Sequence, residues 1–214
     1  MFPGTRLIRS IGPVGVALAL VCASPAAHAA KPNLELARAE MLKHAPQAGR
    51  VELGLYGGLM VPAPAHGFYS AQWRPLRPEL GSVGVRIGRY MLPWFGGEVE
   101  AGALLGRTAD GQRFTGGALR AHTVFQLPYR IAPFVLAGVG VLVVRTPIKV
   151  LGSDFDLAGH VGVGLKFHAL RWLALRAEWR GTVTTGRDTA SGPLVLHNEV
   201  LLGVSFLFGG PPRR

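Results

Sequence analysis

The sequence has one cysteine, Cys22, and it lies in an N-terminal segment of export type, so the rest of the chain can form no internal disulfide. Val21 precedes it where a lipoprotein signal wants a small side chain, so no lipid anchor is expected. Long apolar runs are missing too. After residue 30 the longest, Phe134 to Val144 (FVLAGVGVLVV), would reach only ~16 Å as a helix, short of a bilayer core. A tilted strand of that length does cross one, so a helical membrane protein is excluded and a strand-built one is not. Acids are scarce, 12 against 23 Lys and Arg. No phosphate-cradling loop, zinc-ligand spacing or nucleotide motif occurs, so no cofactor, metal or catalytic group is expected.

Residues 1–29 carry Arg6 and Arg9, then the apolar run Ile11 to Cys22, then Ala27-His28-Ala29, the layout of a secretory signal peptide cut after Ala29. Its removal takes the net charge from +11 to +9 (11 − 2, no acids lost). An exported chain seldom meets nucleic acid, so the basic excess points instead to anionic lipid head groups.

What the sequence does have is alternation. In Leu157 to Arg180, LAGHVGVGLKFHALRWLALRAEWR, Leu157, Val161, Val163, Leu165 and Phe167 share one face while Ala158, His160, Gly162, Gly164 and Lys166 share the other. After a short turn, Leu173, Leu175, Ala177 and Trp179 oppose Trp172, Ala174, Arg176, Glu178 and Arg180. A period of two means strands, and a Gly-rich polar face opposite an unbroken apolar one suits a membrane barrel, apolar outside and polar within.

The same pattern gives further strands over 51–61, 82–90, 96–105, 117–127, 134–144 and 194–208, eight in all. In 134–144 both faces are apolar, and only Gly138 and Gly140 mark the inner side. Connections alternate long and short, as an up-and-down barrel with long extracellular loops and short periplasmic turns requires. The expected architecture is all-β: an eight-stranded antiparallel transmembrane barrel over 50–208, a periplasmic lead-in at 30–49 with a short helix after Asn33, and a flexible tail at 209–214. Pro62 to Gly81 and Thr182 to Pro193 are expected outside the cell. Tyr90, Trp94, Phe95, Phe125, Tyr129, Phe134, Phe167, Trp172, Phe206 and Phe208 cluster at the short-turn ends, where an interfacial girdle belongs.

PFVLAGVGV (133–141), GHVGVGLKF (159–167), LALRAEWRG (173–181) and the ending GVSFLF resemble the small eight-stranded outer-membrane barrels of the OmpA/OmpX type, over roughly 50–208. The resemblance implies the outer membrane of a Gram-negative bacterium, contact with its lipids and lipopolysaccharide, delivery by the barrel assembly machinery, and a monomer. The ending is similar to the family's assembly signal, with Gly203, Phe206 and Phe208 as its elements, although Leu201 replaces the usual polar residue and Gly209 to Arg214 follow the last Phe. The peptidoglycan-binding domain of some members does not follow here, so anchoring by that route is not expected.

Five acids point inward, Glu52, Glu98, Glu100, Glu178 and Glu199, with five bases, Arg86, Arg120, Lys166, Arg176 and Arg180. They cancel inside a chain that is basic overall, the composition of paired charges filling a closed lumen. Arg86 is expected between Glu52 and Glu98 or Glu100, and Gly162 is expected to accept a polar side chain if size permits. His122, His160 and His197 also face in, and His160 and His197 are expected near the extracellular end with Glu178 and Arg180. Some barrels of this size are lipid A hydrolases or acyltransferases that set a His beside a Ser, but Ser153 and Ser191 fall in loops and Ser205 at the far end. A non-enzymatic structural or surface-interaction barrel is therefore expected, with a lipid-modifying enzyme at the extracellular rim or a narrow channel as alternatives.

Overall fold

The computed structural model describes residues 34–63, 79–107, 111, 113–145, 153–185 and 194–210. One helix, α1 (Leu34–Leu42), precedes eight strands: β1 (Val51–Val61), β2 (Leu80–Leu92), β3 (Phe95–Arg107), β4 (Arg113–Gln126), β5 (Ile131–Arg145), β6 (Ser153–His168), β7 (Leu173–Thr185) and β8 (Leu194–Phe208). Each pairs antiparallel with its neighbour in sequence, and β1 with β8 from Val51↔Phe208 to Val61↔Asn198, closing the barrel. Closure leaves no sheet edge through the span, which is what allows a backbone to cross lipid. The expected signal segment and Asn33, the candidate cap, lie outside the described residues, as do most of the long loops.

Burial follows the sequence alternation. In β1 it reads exposed, buried, exposed, buried from Val51 to Tyr56, and β5 sets Ala132, Phe134, Leu136, Gly138, Gly140 and Leu142 on the inner side. The inner side of β5 is thus the one its two glycines mark. Outside, Leu55, Val85, Ile87, Leu119, Val135, Val163 and Leu202 are all roughly half exposed and wholly apolar, while the charges named above are buried within. An apolar outside around a charged inside is the inverse of a water-soluble sheet and defines a transmembrane barrel.

Several expectations need correction. The strands are longer than the apolar alternation, with Leu80 and Gly81, Arg113 to Gly116, Ser153 to Asp156 and Gly181 to Thr185 in strand where loop was expected. Beyond the hydrocarbon band the ladder continues without needing lipid-facing side chains, so the apolar signal stops before the pairing does. The turns are correspondingly tighter: Met91, Leu92 and Phe95 belong to strands, as do Ile131 to Pro133. Leu127 lies just beyond β4. Tyr90 and Phe134 are 4% and 3% exposed and point into the lumen, outside any girdle. Their height fits a girdle, but their parity is that of Arg86 and Leu136, and parity decides the face. Trp172, in turn, sits exposed in the β6–β7 turn and stacks on Phe206 at 6.1 Å, off the inner face.

The lead-in does more than precede β1. The Arg130 amide, in the β4–β5 turn, donates to the Met41 carbonyl at 2.7 Å, and eight residues later the Gly49 amide donates to the Tyr90 carbonyl at 2.7 Å beside β1. β1 and β5 stand on opposite sides of the barrel, so residues 42–49 cross its short-turn mouth. Pro46 is buried there, and His44, at φ 64°, is lowered in pKa by burial and by the nearby Arg130 and Arg171.

Candidate functional site

The lumen is where this chain concentrates its chemistry, because alternation delivers every second side chain of eight strands to one axis. An interior of eight strands is only wide enough for side chains to fill. The register shows how it is filled: large inward residues are paired with inward glycines on the adjacent strand. Tyr56 pairs with Gly84, which pairs with Gly102; Arg86 pairs with Gly54; Arg120 with Gly140; His122 with Gly138; Phe134 with Gly164, which pairs in turn with Glu178. A Cβ on Gly54 would meet Arg86 Cγ at 2.8 Å, and one on Gly140 would meet Arg120 Cγ at 2.8 Å, so the glycines are seats for their neighbours. Gly162 is one as well, under Leu136, where an added Cβ would come within 3.2 Å of that side chain. Size is thus the condition at this position: a side chain there fits only where Leu136 gives by a few tenths of an ångström.

All ten lumenal charges form one connected network. Lys166 Nζ donates to Glu52 at 2.8 Å and to Glu98 at 2.9 Å; Arg176 joins Glu98 at 2.7 Å to Glu178 at 2.8 Å. Arg180 bridges Glu178 at 2.6 Å and Glu100 at 2.7 Å, and Arg120 continues from Glu100 at 3.0 Å to Glu199 at 2.5 Å. Arg86 reaches Glu100 at 3.3 Å and Glu178 at 3.4 Å, with its guanidinium 4.9 Å from the Tyr56 ring. Every member is at most 7% exposed.

Arg86 is thus partnered differently from the sequence expectation. Its contact with Glu100 is the one across the β2–β3 ladder, but its second partner is Glu178, from β7 on the far wall, and Glu52 goes to Lys166. Nearest-strand reasoning misses this because side chains meeting at the axis of so narrow a barrel reach across as easily as sideways. Tyr90 also escapes a charge-based search: its hydroxyl donates to Glu52 at 2.6 Å. Thr182 and Thr184 lie in strand where a loop is expected, and both point inward: Thr182 donates to Glu199 at 3.3 Å, and Thr184 Oγ1 hydrogen-bonds His197 Nε2 at 3.0 Å.

The histidines do not gather at one rim. His160 Nε2 lies 3.3 Å from His122 Nδ1, and His122 Nε2 lies 3.1 Å from Glu98, whereas His197 meets Thr184 and takes the Ala63 amide at 3.1 Å. His160 and His197 flank Thr182 on one ladder row, but β6 runs on to Ser153, so His160 lies midway along its strand while His197 is near the loop-bearing start of β8. Two serines, Ser82 and Ser205, are buried on inward positions, Ser82 sharing the parity of Arg86, and Ser153 opens β6 instead of lying in a loop. Among the described residues no group of three or more His, Cys, Asp or Glu side chains is arranged to hold a metal. The hollow beside Glu52, Tyr90 and Glu98 measures about 10 Å³, room for at most a single water. Of the assembly-signal residues, Gly203 pairs with both Tyr56 and Arg176, Phe206 stacks on Trp172, and Phe208 faces outward opposite Val51.

This fold and its inside-out burial are those of the small eight-stranded outer-membrane barrels. No family model and no characterised protein matches the chain by sequence. Solved structures do match by shape. The N-terminal β-barrel domain of Pseudomonas aeruginosa OprF superposes with a TM-score of 0.53 at 16% identity, covering 75% of this chain and 98% of that one. Neisserial surface protein A gives 0.54 at 13%, covering 74% and 96%, and the attachment invasion locus protein Ail of Yersinia pestis gives 0.52 at 12%, covering 76% and 100%. At these identities the likeness carries the fold.

Proposed function

We propose that the chain is a non-enzymatic outer-membrane barrel of a Gram-negative envelope, monomeric, exported by residues 1–29 and acting through its long loops as a structural or surface-interaction protein. The observation that carries this is the unbroken network from Glu52 to Glu199. It fills the axis with paired charges and leaves the loop-bearing end as the part whose side chains are free for contact without disturbing the span. The names of two barrels of like shape, a surface protein and an attachment invasion locus protein, agree with such a role. In this reading lipopolysaccharide surrounds the long-loop end, phospholipid the short-turn end, and Gly203, Phe206 and Phe208 present the chain to the assembly machinery.

The orientation is tested by cysteine labelling of intact cells, the exported chain having no other cysteine. Ala65→Cys and Ala190→Cys should react with an impermeant maleimide, and Arg171→Cys should react only after lysis. Labelling of Arg171→Cys alone would invert the topology. Replacing 64–78 and 186–193 with short Gly-Ser linkers should then abolish surface interaction while the barrel still folds; unchanged interaction would remove the loops from the function.

A further inference from the structure

We infer that the short-turn rim holds one anionic phospholipid, its acyl chain in the groove between α1 and the β5 and β6 margins and its phosphate on Arg130. The inference rests on the proposed orientation, which puts this rim in the phospholipid leaflet. α1 has no buried residue, and Leu34, Leu36, Met41 and Leu42 on its nine residues are 78%, 65%, 53% and 48% exposed. So much apolar surface on one short helix asks for an apolar cover. The helix is nonetheless fixed in place, by the Arg130 amide on the Met41 carbonyl and by Arg130 Nη1 3.5 Å from Glu40.

Between helix and barrel lies a groove of about 320 Å³ lined by Glu40, Met41, Tyr129, Arg130, Ile131 and Phe167. Ile131 and Phe167 belong to the outward faces of β5 and β6, so the groove is continuous with the lipid-facing band, and a hydrocarbon chain is the apolar partner already present there. Its polar end is cationic. Arg130 stands 5.2 Å from the Phe167 ring with its Nε buried and without a hydrogen-bond partner, and Arg38, Lys43 and Arg171 are exposed about the same rim against Glu35 and Glu40. A phosphodiester on a chain matches both halves, and a zwitterionic lipid, with its own ammonium, matches the basic half less well.

The test is native mass spectrometry of the folded protein released from vesicles of equimolar phosphatidylglycerol and phosphatidylcholine. The wild type should retain one phosphatidylglycerol in preference to phosphatidylcholine. Arg130→Gln, which keeps the backbone contact to Met41, should lower that retention about five-fold, and Ile131→Gln should lower retention of both lipids. Arg89→Gln, an exposed cation outside the groove, should change nothing, and heat-modifiable gel mobility verifies that each variant is folded. Equal retention of the two lipids, unchanged retention in Arg130→Gln, or displacement by millimolar inorganic phosphate would overturn the assignment. These readings do not depend on which end faces the periplasm, so an inverted labelling pattern would refute the orientation separately.

Discussion

Glu100→Gln should destabilise the folded barrel by about 3–5 kcal/mol, measured by guanidinium titration in lipid vesicles. Glu100 is 1% exposed, accepts from Arg180 at 2.7 Å and from Arg120 at 3.0 Å, and is ion-paired with Arg86 at 3.3 Å. Glutamine keeps the size, removes the negative charge, and turns an amide donor toward three guanidinium groups that are all donors. Arg180 and Arg86 keep Glu178 and Arg120 keeps Glu199, but five buried cations then share four acids, and the uncompensated charge costs far more than one pair was worth in net stability. Arg86→Met should cost less, about 1–3 kcal/mol, because Glu100 keeps Arg120 and Arg180 while Glu178 keeps Arg176 and Arg180. The double variant should recover part of the Glu100 loss, since four buried cations then face four acids. Strict additivity, with both single effects small, would mean that water reaches these groups and solvates them.

On the outer face the largest effect is expected at Val163→Arg, about 2–4 kcal/mol in the same titration. Val163 lies between Val135 of β5 and Trp179 of β7, is 49% exposed, and is flanked along its strand by Val161 and Leu165. An arginine there faces hydrocarbon near mid-membrane with no acid in reach, so its cost is that of bringing a charge into lipid. Leu194→Arg, on an exposed residue at the long-loop end of β8, should cost no more than about 1 kcal/mol by the same rule. Equal costs at the two positions would place the hydrocarbon band wrongly.

How far each part of this molecule could be read from residues alone follows from which signals are local. Faces were legible, because alternation is a property of a strand by itself: Glu98, Glu100, Arg176, Glu178 and Arg180 lie on the side their parity assigns. The count of strands was legible for the same reason. Partners were legible only along the ladder, as with Arg86 and Glu100, and not across the lumen, as with Arg86 and Glu178 or Lys166 and Glu52. The rule that large inward residues sit over glycines needs the register first, since Tyr56, Gly84 and Gly102 are unremarkable until the ladders align them. Tyr90 and Phe134 show the opposite error, of weighting height along the barrel over parity. The crossing of the mouth by 42–49 had no sequence signal, because its anchors are backbone amides and carbonyls that any residue supplies.

The central claim is that the lumen is closed by paired charges, and conductance across a planar bilayer tests it most directly. Wild-type barrels, inserted and verified as folded, should give no discrete current steps, while Glu100→Gln, which leaves the network one acid short, should admit water and produce brief, flickering openings. Stable, long-lived open steps in the wild type would contradict the account and make the barrel a channel.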